Sequence, residues 1–282
     1  MKQFLKILRI LLFLATIPAM VSTLVWANKL SKTATIRGTQ YHSLSQGLRF
    51  VEESDLDTLM SYYHLELNQT PVRQFAWPDL ENGLNNQAWI DSANVYVDAD
   101  RQVHIVYKQR QPYVRIVEAD NLEGGYYLDA QGDRIQLSDK FLVRVPVATM
   151  PLLLQNNREK QVRQNLVEIS RTIMRDSFWT SACSQLDVKP SGEIQMVPAM
   201  GKQIIRLGDA INITNKLDRL TAFYRQGYNT VPWNVYNEID VRFEGQVIGR
   251  NTEGKILSVD PYDKKIAKTA SDSSSPKINK LK

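Results

Sequence analysis

Between Ile10 and Asn28 the chain carries nineteen residues without a charge, and no comparable run recurs after them. As a helix rising about 1.5 Å per residue, this run spans roughly 28 Å, the thickness of one hydrocarbon core. The nine residues before it hold Lys2, Lys6 and Arg9 and no acid. Basic flanks favour the cytoplasmic side. Residues 1–9 are therefore expected as a cytoplasmic tail, 10–28 as a single transmembrane helix, and the body outside the cytoplasmic membrane. A cleaved signal peptide has a similar plan, and Val25-Trp26-Ala27 resembles a small-residue cleavage site. The run exceeds the usual core of roughly 7–15 residues in such peptides. Trp26, with Lys29 and Lys32 beyond it, also suits an interfacial anchor. A retained anchor is the expectation, and either reading exports the body.

Net charge is +5, but it is concentrated at the ends. Residues 1–9 carry +3, and residues 263–282 carry six Lys against two Asp, so the stretch between has a net charge of −2. That balance argues against a nucleic-acid groove, which needs clustered cations. Residues 252–282, rich in Lys, Ser and Asp near their end, read as a disordered basic tail. The one cysteine, Cys183, excludes an internal disulfide. Its neighbours Phe178, Trp179 and Leu186 point to a buried small hydrophobe.

The body reads as two α+β segments. In the first, residues 35–112, Thr35-Ile36-Arg37 is β-like and Arg49-Phe50-Val51 reads as a short strand. Ser54 and Asp57 suit a helix start, with Leu56, Leu59, Met60 and Tyr63 at helical spacing. Pro78 marks the first turn of a second helix that should end near Asn85-Asn86. Ala93, Val95 and Val97 alternate with polar residues, Asp98–Gln102 turns the chain, and Val103, Ile105 and Tyr107 alternate again. The order strand, helix, helix, strand, strand implies a small sheet with helices on one face. In the second, residues 113–251, strands are expected at 114–117, 125–129, 133–136, 142–147, 186–189, 192–198 and 203–207. Helices are expected where Val162, Leu166, Ile169 and Ile173 form one stripe and across 213–225. A final strand starts at Ile239, alternates through Val241 and Phe243, and continues through Gly245 to Gly249.

Recognisable catalytic spacing is missing. His42, His64 and His104 do not pair at metal-ligand intervals, and no HExxH, nucleophile elbow or phosphate loop occurs. Asp129, Asp133 and Asp139 read as turn-capping acids. No catalytic residue, metal or cofactor is expected. The alternative class is an exported, membrane-anchored cell-wall enzyme with an acid/base pair assembled only in space.

Several segments resemble the FtsQ/DivIB cell-division family. Leu48 to Asp55 resembles the entry to the first helix of that family's POTRA domain. Asn86-Gln87-Ala88-Trp89-Ile90 with Ala93 to Val97 resembles the step into its second strand, although Ala88 stands where the family often has Pro. Lys108-Gln109-Arg110-Gln111-Pro112 resembles the exit from its third strand. Tyr126 to Gly132 resembles the hairpin that opens its β domain, and Asn215 to Leu220 with Trp233 to Arg250 its late helix and closing strands. The resemblance implies a single N-terminal transmembrane helix, a POTRA domain at 35–112, and a β domain at 113–251 with two helices on a mainly antiparallel sheet. It also implies a non-enzymatic scaffold of the inner membrane and division septum. Its partners would be FtsB- and FtsL-type proteins and the septal peptidoglycan synthase complex. By the match, Arg242, Phe243, Val247 and Ile248 fall in the strand with which the family binds FtsB. Gln246 lies among them, and Arg250 stands where well-known members carry Trp. Tyr96, His104 and Lys108 form the corresponding recruitment face of the POTRA unit. Read from alternation alone, Val241 and Phe243 would be core, and the polar side of the small sheet a solvated face.

Overall fold

The structure is a computed structural model that describes residues 13–14, 16–26, 29, 33–118, 121–151, 154, 158–227, 236–251 and 253–258. Residues 16–26 are helical, and Phe13, Ile17, Met20, Leu24 and Trp26 are exposed. Among the described residues no helix is long and apolar enough to cross a membrane. The expected span also includes 10–12, 15, 27 and 28, which lie outside the described residues, as do the expected tail at 1–9 and residues 252 and 259–282. The chain divides into two compact units between Arg110 and Gln111.

The first unit runs β1 (Gly38–Ser43), α1 (Glu53–Tyr62), α2 (Trp77–Asn85), β2 (Ile90–Val97) and β3 (Gln102–Gln109). Its sheet order is β1-β3-β2. β2 and β3 are joined by a tight turn and pair antiparallel, whereas β1 reaches β3 only after both helices and pairs parallel. Along β3, Val103, Ile105, Tyr107 and Gln109 are buried while His104, Val106 and Lys108 face the other side. Leu56, Met60, Leu80, Leu84 and Ile90 complete the core over the inner face.

Three local expectations change. The first strand is Gly38–Ser43 rather than Thr35-Ile36-Arg37, where Thr35 makes only an isolated bridge to Pro71. The cap of α1 is Glu52, which forms a reciprocal box with Asp55; Ser54 lies inside the helix. Phe50 and Val51 form no strand. Their amides donate instead to the buried side-chain oxygen of Gln109, at 2.9 and 3.1 Å, so their backbone needs no ladder partner.

The second unit contains β4 (Val114–Glu118), β5 (Asn121–Leu128), β6 (Arg134–Gln136), β7 (Val147–Met150), α3 (Glu159–Arg175), α4 (Ser177–Ala182), β8 (Cys183–Val188), β9 (Ile194–Pro198), β10 (Ile204–Gly208), α5 (Ile213–Gly227), β11 (Glu238–Asp240), β12 (Ile248–Arg250) and β13 (Ile256–Ser258). The ten strands form one sheet, ordered β13-β12-β11-β10-β9-β8-β7-β4-β5-β6. Pairing is antiparallel except at β4–β7, β7–β8 and β10–β11. Those are the places where a hairpin or a helix intervenes, because parallel neighbours need a crossover.

The apolar stripe of α3, Val162, Leu166, Ile169 and Ile173, is buried, and α3 packs on β4 and α5. α4 is an additional short helix, started by Asp176, whose carboxylate accepts the amides of Phe178 and Trp179. Trp179 is buried, and its indole N–H donates to Thr221 at 3.1 Å. The strand expected at 142–147 is displaced to Val147–Met150. Pro146 cannot donate to a ladder, and Leu142 is exposed.

The closing segment differs most from expectation. The single strand expected from Ile239 to Gly249 is two short strands, β11 and β12, separated by 241–247. Its alternation is locally strand-like, but Gly245 takes a φ of +70° and Asp240 draws the backbone N–H of Arg242 onto its own carboxylate at 3.1 Å. Further, β12 does not end the sheet. Asn251 receives the amides of Glu253 and Lys255 on its side chain, the chain turns, and β13 pairs antiparallel with β12.

Candidate functional site

Two places gather the candidate residues, one in each unit. In the second unit they surround β11 and β12. Arg206 of β10 grips Glu193 with two donors, at 2.7 and 2.9 Å. Arg242 grips Asp240 in the same manner at 2.9 and 2.7 Å and reaches Glu193 at 3.2 Å. Arg250 pairs with Glu238, which Arg206 also approaches at 3.6 Å. Three guanidinium groups thus interleave with three carboxylates over one patch of sheet, and forked geometry fixes their orientation.

The electrostatics follow from that arrangement. Hydrogen bonding to Arg206 holds the Glu193 carboxyl below the usual range. At Asp240, burial alone would raise the pKa, but the hydrogen bonds and charge of Arg242 outweigh it and the net shift is downward.

Each expected contact residue has a definite place here. Arg242 and Arg250 are half-buried and engaged in this charge network. Val247 is 2 % exposed and part of the core, so its side chain supports the closing turn and cannot also face a partner. Ile248 is half-buried on β12, whose two neighbours are β11 and β13. Phe243 and Gln246 are exposed on the loop between β11 and β12, and the Arg242 guanidinium lies 5.7 Å from the Phe243 ring centre. Phe243 is thus not core, whereas Val241 is fully buried. Four residues outside the candidate set complete the patch: Asp240 and Glu238 beside it in sequence, and Glu193 and Arg206. Glu193 and Arg206 precede the closing strands by dozens of positions, and only the sheet order brings them there.

In the first unit, Tyr96 and His104 are opposite one another across β2 and β3, with ring centres 4.9 Å apart and planes 8° from parallel. Lys108 lies farther along β3 and pairs with Asp91 at 2.7 Å. His104 has two further partners. Its Nε2 lies 2.9 Å from Asp98 Oδ2, and its Nδ1 lies 3.2 Å from His42 Nε2 on β1. Asp98 is itself fixed by the turn, because its other oxygen accepts the Gln102 amide at 2.8 Å. A carboxylate can only accept, so His104 Nε2 carries a proton, and its Nδ1 shares a single proton with His42 Nε2, on a side set by the two tautomers. Hydrogen bonding from His104 lowers the Asp98 pKa. His42 was not among the candidate residues; it is 62 positions from His104, beyond the reach of any sequence spacing.

Acid/base chemistry was the alternative. An apolar groove of about 180 Å³ is lined by Phe178, Trp179, Ala182, Pro198, Met200 and Tyr224, with no carboxylate or imidazole on its walls. A second groove, of about 420 Å³, lies between Tyr62, His64, Phe75 and Asp79, the last being its one carboxylate. Asp129 spends its Oδ1 on the amides of Gln131 and Asp133, as a turn cap does. Burial raises the Cys183 thiol pKa to about 12, far from a thiolate nucleophile.

Residues 111–250 match the family model described as FtsQ/DivIB, C-terminal related. The match begins at the first residue of the second unit and ends with the last residue of β12. No curated protein matches the chain.

Proposed function

Because residues 111–250 belong to the FtsQ/DivIB, C-terminal related family, we propose that this chain is a cell-division protein that works by holding other chains. The family match is the observation that carries the reading, and the family is generally one of non-enzymatic division proteins. In this reading the partners are FtsB- and FtsL-type proteins, and through them the septal peptidoglycan synthase complex. The contact region is the closing end of the large sheet. Phe243 and Gln246 offer an exposed aromatic and an amide on the loop, while Arg242, Ile248 and Arg250 form the adjoining half-buried rim. Val247 holds that loop from beneath. A sheet end also offers unpaired backbone groups to a partner strand, and here the terminal strand is β13.

The same reading makes residues 10–28 a membrane anchor, with 1–9 in the cytoplasm, and 35–112 a POTRA domain used for recruitment through Tyr96, His104 and Lys108. Two observations support it. The first unit has the strand–helix–helix–strand–strand order read from the residue pattern. The hydroxyls of Thr16, Ser22 and Thr23 each donate to the carbonyl three residues before, at 2.7 to 2.8 Å, which satisfies them inside the helix as a lipid environment demands.

The test is binding of the full chain in detergent to the extracytoplasmic segments of its cognate FtsB- and FtsL-type proteins. Wild type should bind. Phe243→Asp should lose at least tenfold in affinity at unchanged melting temperature, and Val247→Ala should lower the melting temperature. Absence of binding by the wild type would remove the partner assignment.

A further inference from the structure

We propose that His42 and His104 form a binding site for one transition-metal dication of the zinc type, with Asp98 as its positioning residue. The geometry is that of such a site with a proton where the metal would be. Zinc holds imidazole nitrogen at about 2.0–2.1 Å, so two nitrogens on one tetrahedral zinc lie about 3.3 Å apart. His42 Nε2 and His104 Nδ1 are 3.2 Å apart. The ring centres are 5.5 Å apart with planes 8° from parallel, so the two nitrogen edges face one another across the gap.

Both ligands are prepared to different degrees. His104 is held on three sides. Asp98 takes its Nε2–H, Tyr96 stacks on its ring, and its side chain is only 13 % exposed. Metal-bound histidines characteristically give their other N–H to a carboxylate, which fixes the tautomer and strengthens the ligand. Asp98 supplies that carboxylate, and the backbone of the β2–β3 turn holds it in place. His42 is exposed, so its ring is free to tilt by the few tens of degrees that turn two facing lone pairs into two converging ones. In the tautomer with its proton on Nδ1, which water permits at an exposed ring, His42 presents a lone pair at Nε2. The remaining coordination positions open to solvent and are taken by water.

The donor set defines the ion. Two imidazoles suit Zn²⁺, Cu²⁺ or Ni²⁺, while Mg²⁺ and Ca²⁺ require oxygen ligands. Among the described residues no group of three or more His, Cys, Asp or Glu side chains could hold a metal ion, so the protein supplies two ligands here and water the rest. The site is therefore an open one, with exchangeable metal, unlike the closed four-ligand sites that hold folds together.

The experiment uses untagged full-length chain in detergent, stripped with chelator and titrated calorimetrically with Zn²⁺, with Mg²⁺ in parallel. The expected result is one Zn²⁺ per chain and no Mg²⁺. His42→Ala and His104→Ala should each weaken Zn²⁺ by more than tenfold. Asp98→Asn, which leaves both ligands in place, should weaken it about 10–100-fold, the usual effect of losing such a carboxylate. His64→Ala should bind as wild type. Imidazole NMR signals, read with circular dichroism of each variant, separate ligand loss from unfolding: in folded wild type the His42 and His104 resonances must move on adding Zn²⁺. The proposal fails if wild type takes up no Zn²⁺, if the two ring signals stay fixed, or if folded His42→Ala and His104→Ala chains bind as tightly as wild type.

Discussion

Gln109 carries more of the first unit than its polarity suggests. It is 2 % exposed, its Oε1 receives two amides, and its Nε2 donates to the Leu48 carbonyl at 3.2 Å. Gln109→Leu keeps the volume but strands both amides, at about 1–3 kcal/mol for each unsatisfied group. The expected loss of about 2–6 kcal/mol can be read in the denaturation midpoint. Gly249 is constrained from a different direction, because a Cβ there would run into the Tyr236 ring. Gly249→Ala should cost about 1–3 kcal/mol through overpacking, while Gly245→Ala, where the added atom meets open space, tests backbone strain alone at φ +70°. Neither Gln109 nor Gly249 announced its role in the sequence. Alternation places each on a strand, but the groups that fix them, the Phe50 and Val51 amides and the Tyr236 ring, are brought there only by the fold.

Elements were legible where their packing is local in sequence. The buried stripe of α3 and the alternation of β2 and β3 each repeat a period that one face of the structure uses. The closing strand was not legible, because its break combines a local turn at Asp240–Arg242 and Gly245 with ion pairs to residues distant in the chain. Asp240 is fully buried among Arg242, Arg206 and Glu193, and the network holds the strand in a conformation that alternation alone would not select. The network also gives the closing elements a pH dependence. Glu193 and Asp240 both titrate below their ordinary values, so their contribution to stability is complete above the usual carboxylate range near pH 4 and is lost as pH falls through the lowered folded values. Acid titration followed by hydrogen exchange should show β10–β12 protection falling below about pH 4. A variant with Glu193→Gln should lose part of that dependence. The same reasoning explains why the His42–His104 pair escaped notice: it is made by the parallel β1–β3 contact, which sequence spacing does not encode.

At the scale of the molecule, each unit has its own buried cluster, Ile36 to Tyr107 in one and Val114 to Val247 in the other. Ile105→Ala should therefore destabilise the first unit by about 2–4 kcal/mol, and hydrogen exchange should report the loss in β1–β3 with α3 protection unchanged. The family match covers the second unit only as far as Arg250, yet the sheet goes one strand farther. A chain ending at Asn251 would bare the outer edge of β12, and faster amide exchange in β12 is the expected sign. That added strand also sets the terms on which anything else reaches the edge. β13 is tethered to β12 through five residues, 251–255, and a segment on so short a linker is present at an effective concentration on the order of millimolar. A visiting strand at micromolar concentration thus begins about a thousandfold behind the resident one. What a titration at β12 would measure is an exchange constant between two strands, with the chain's own end as the standing competitor.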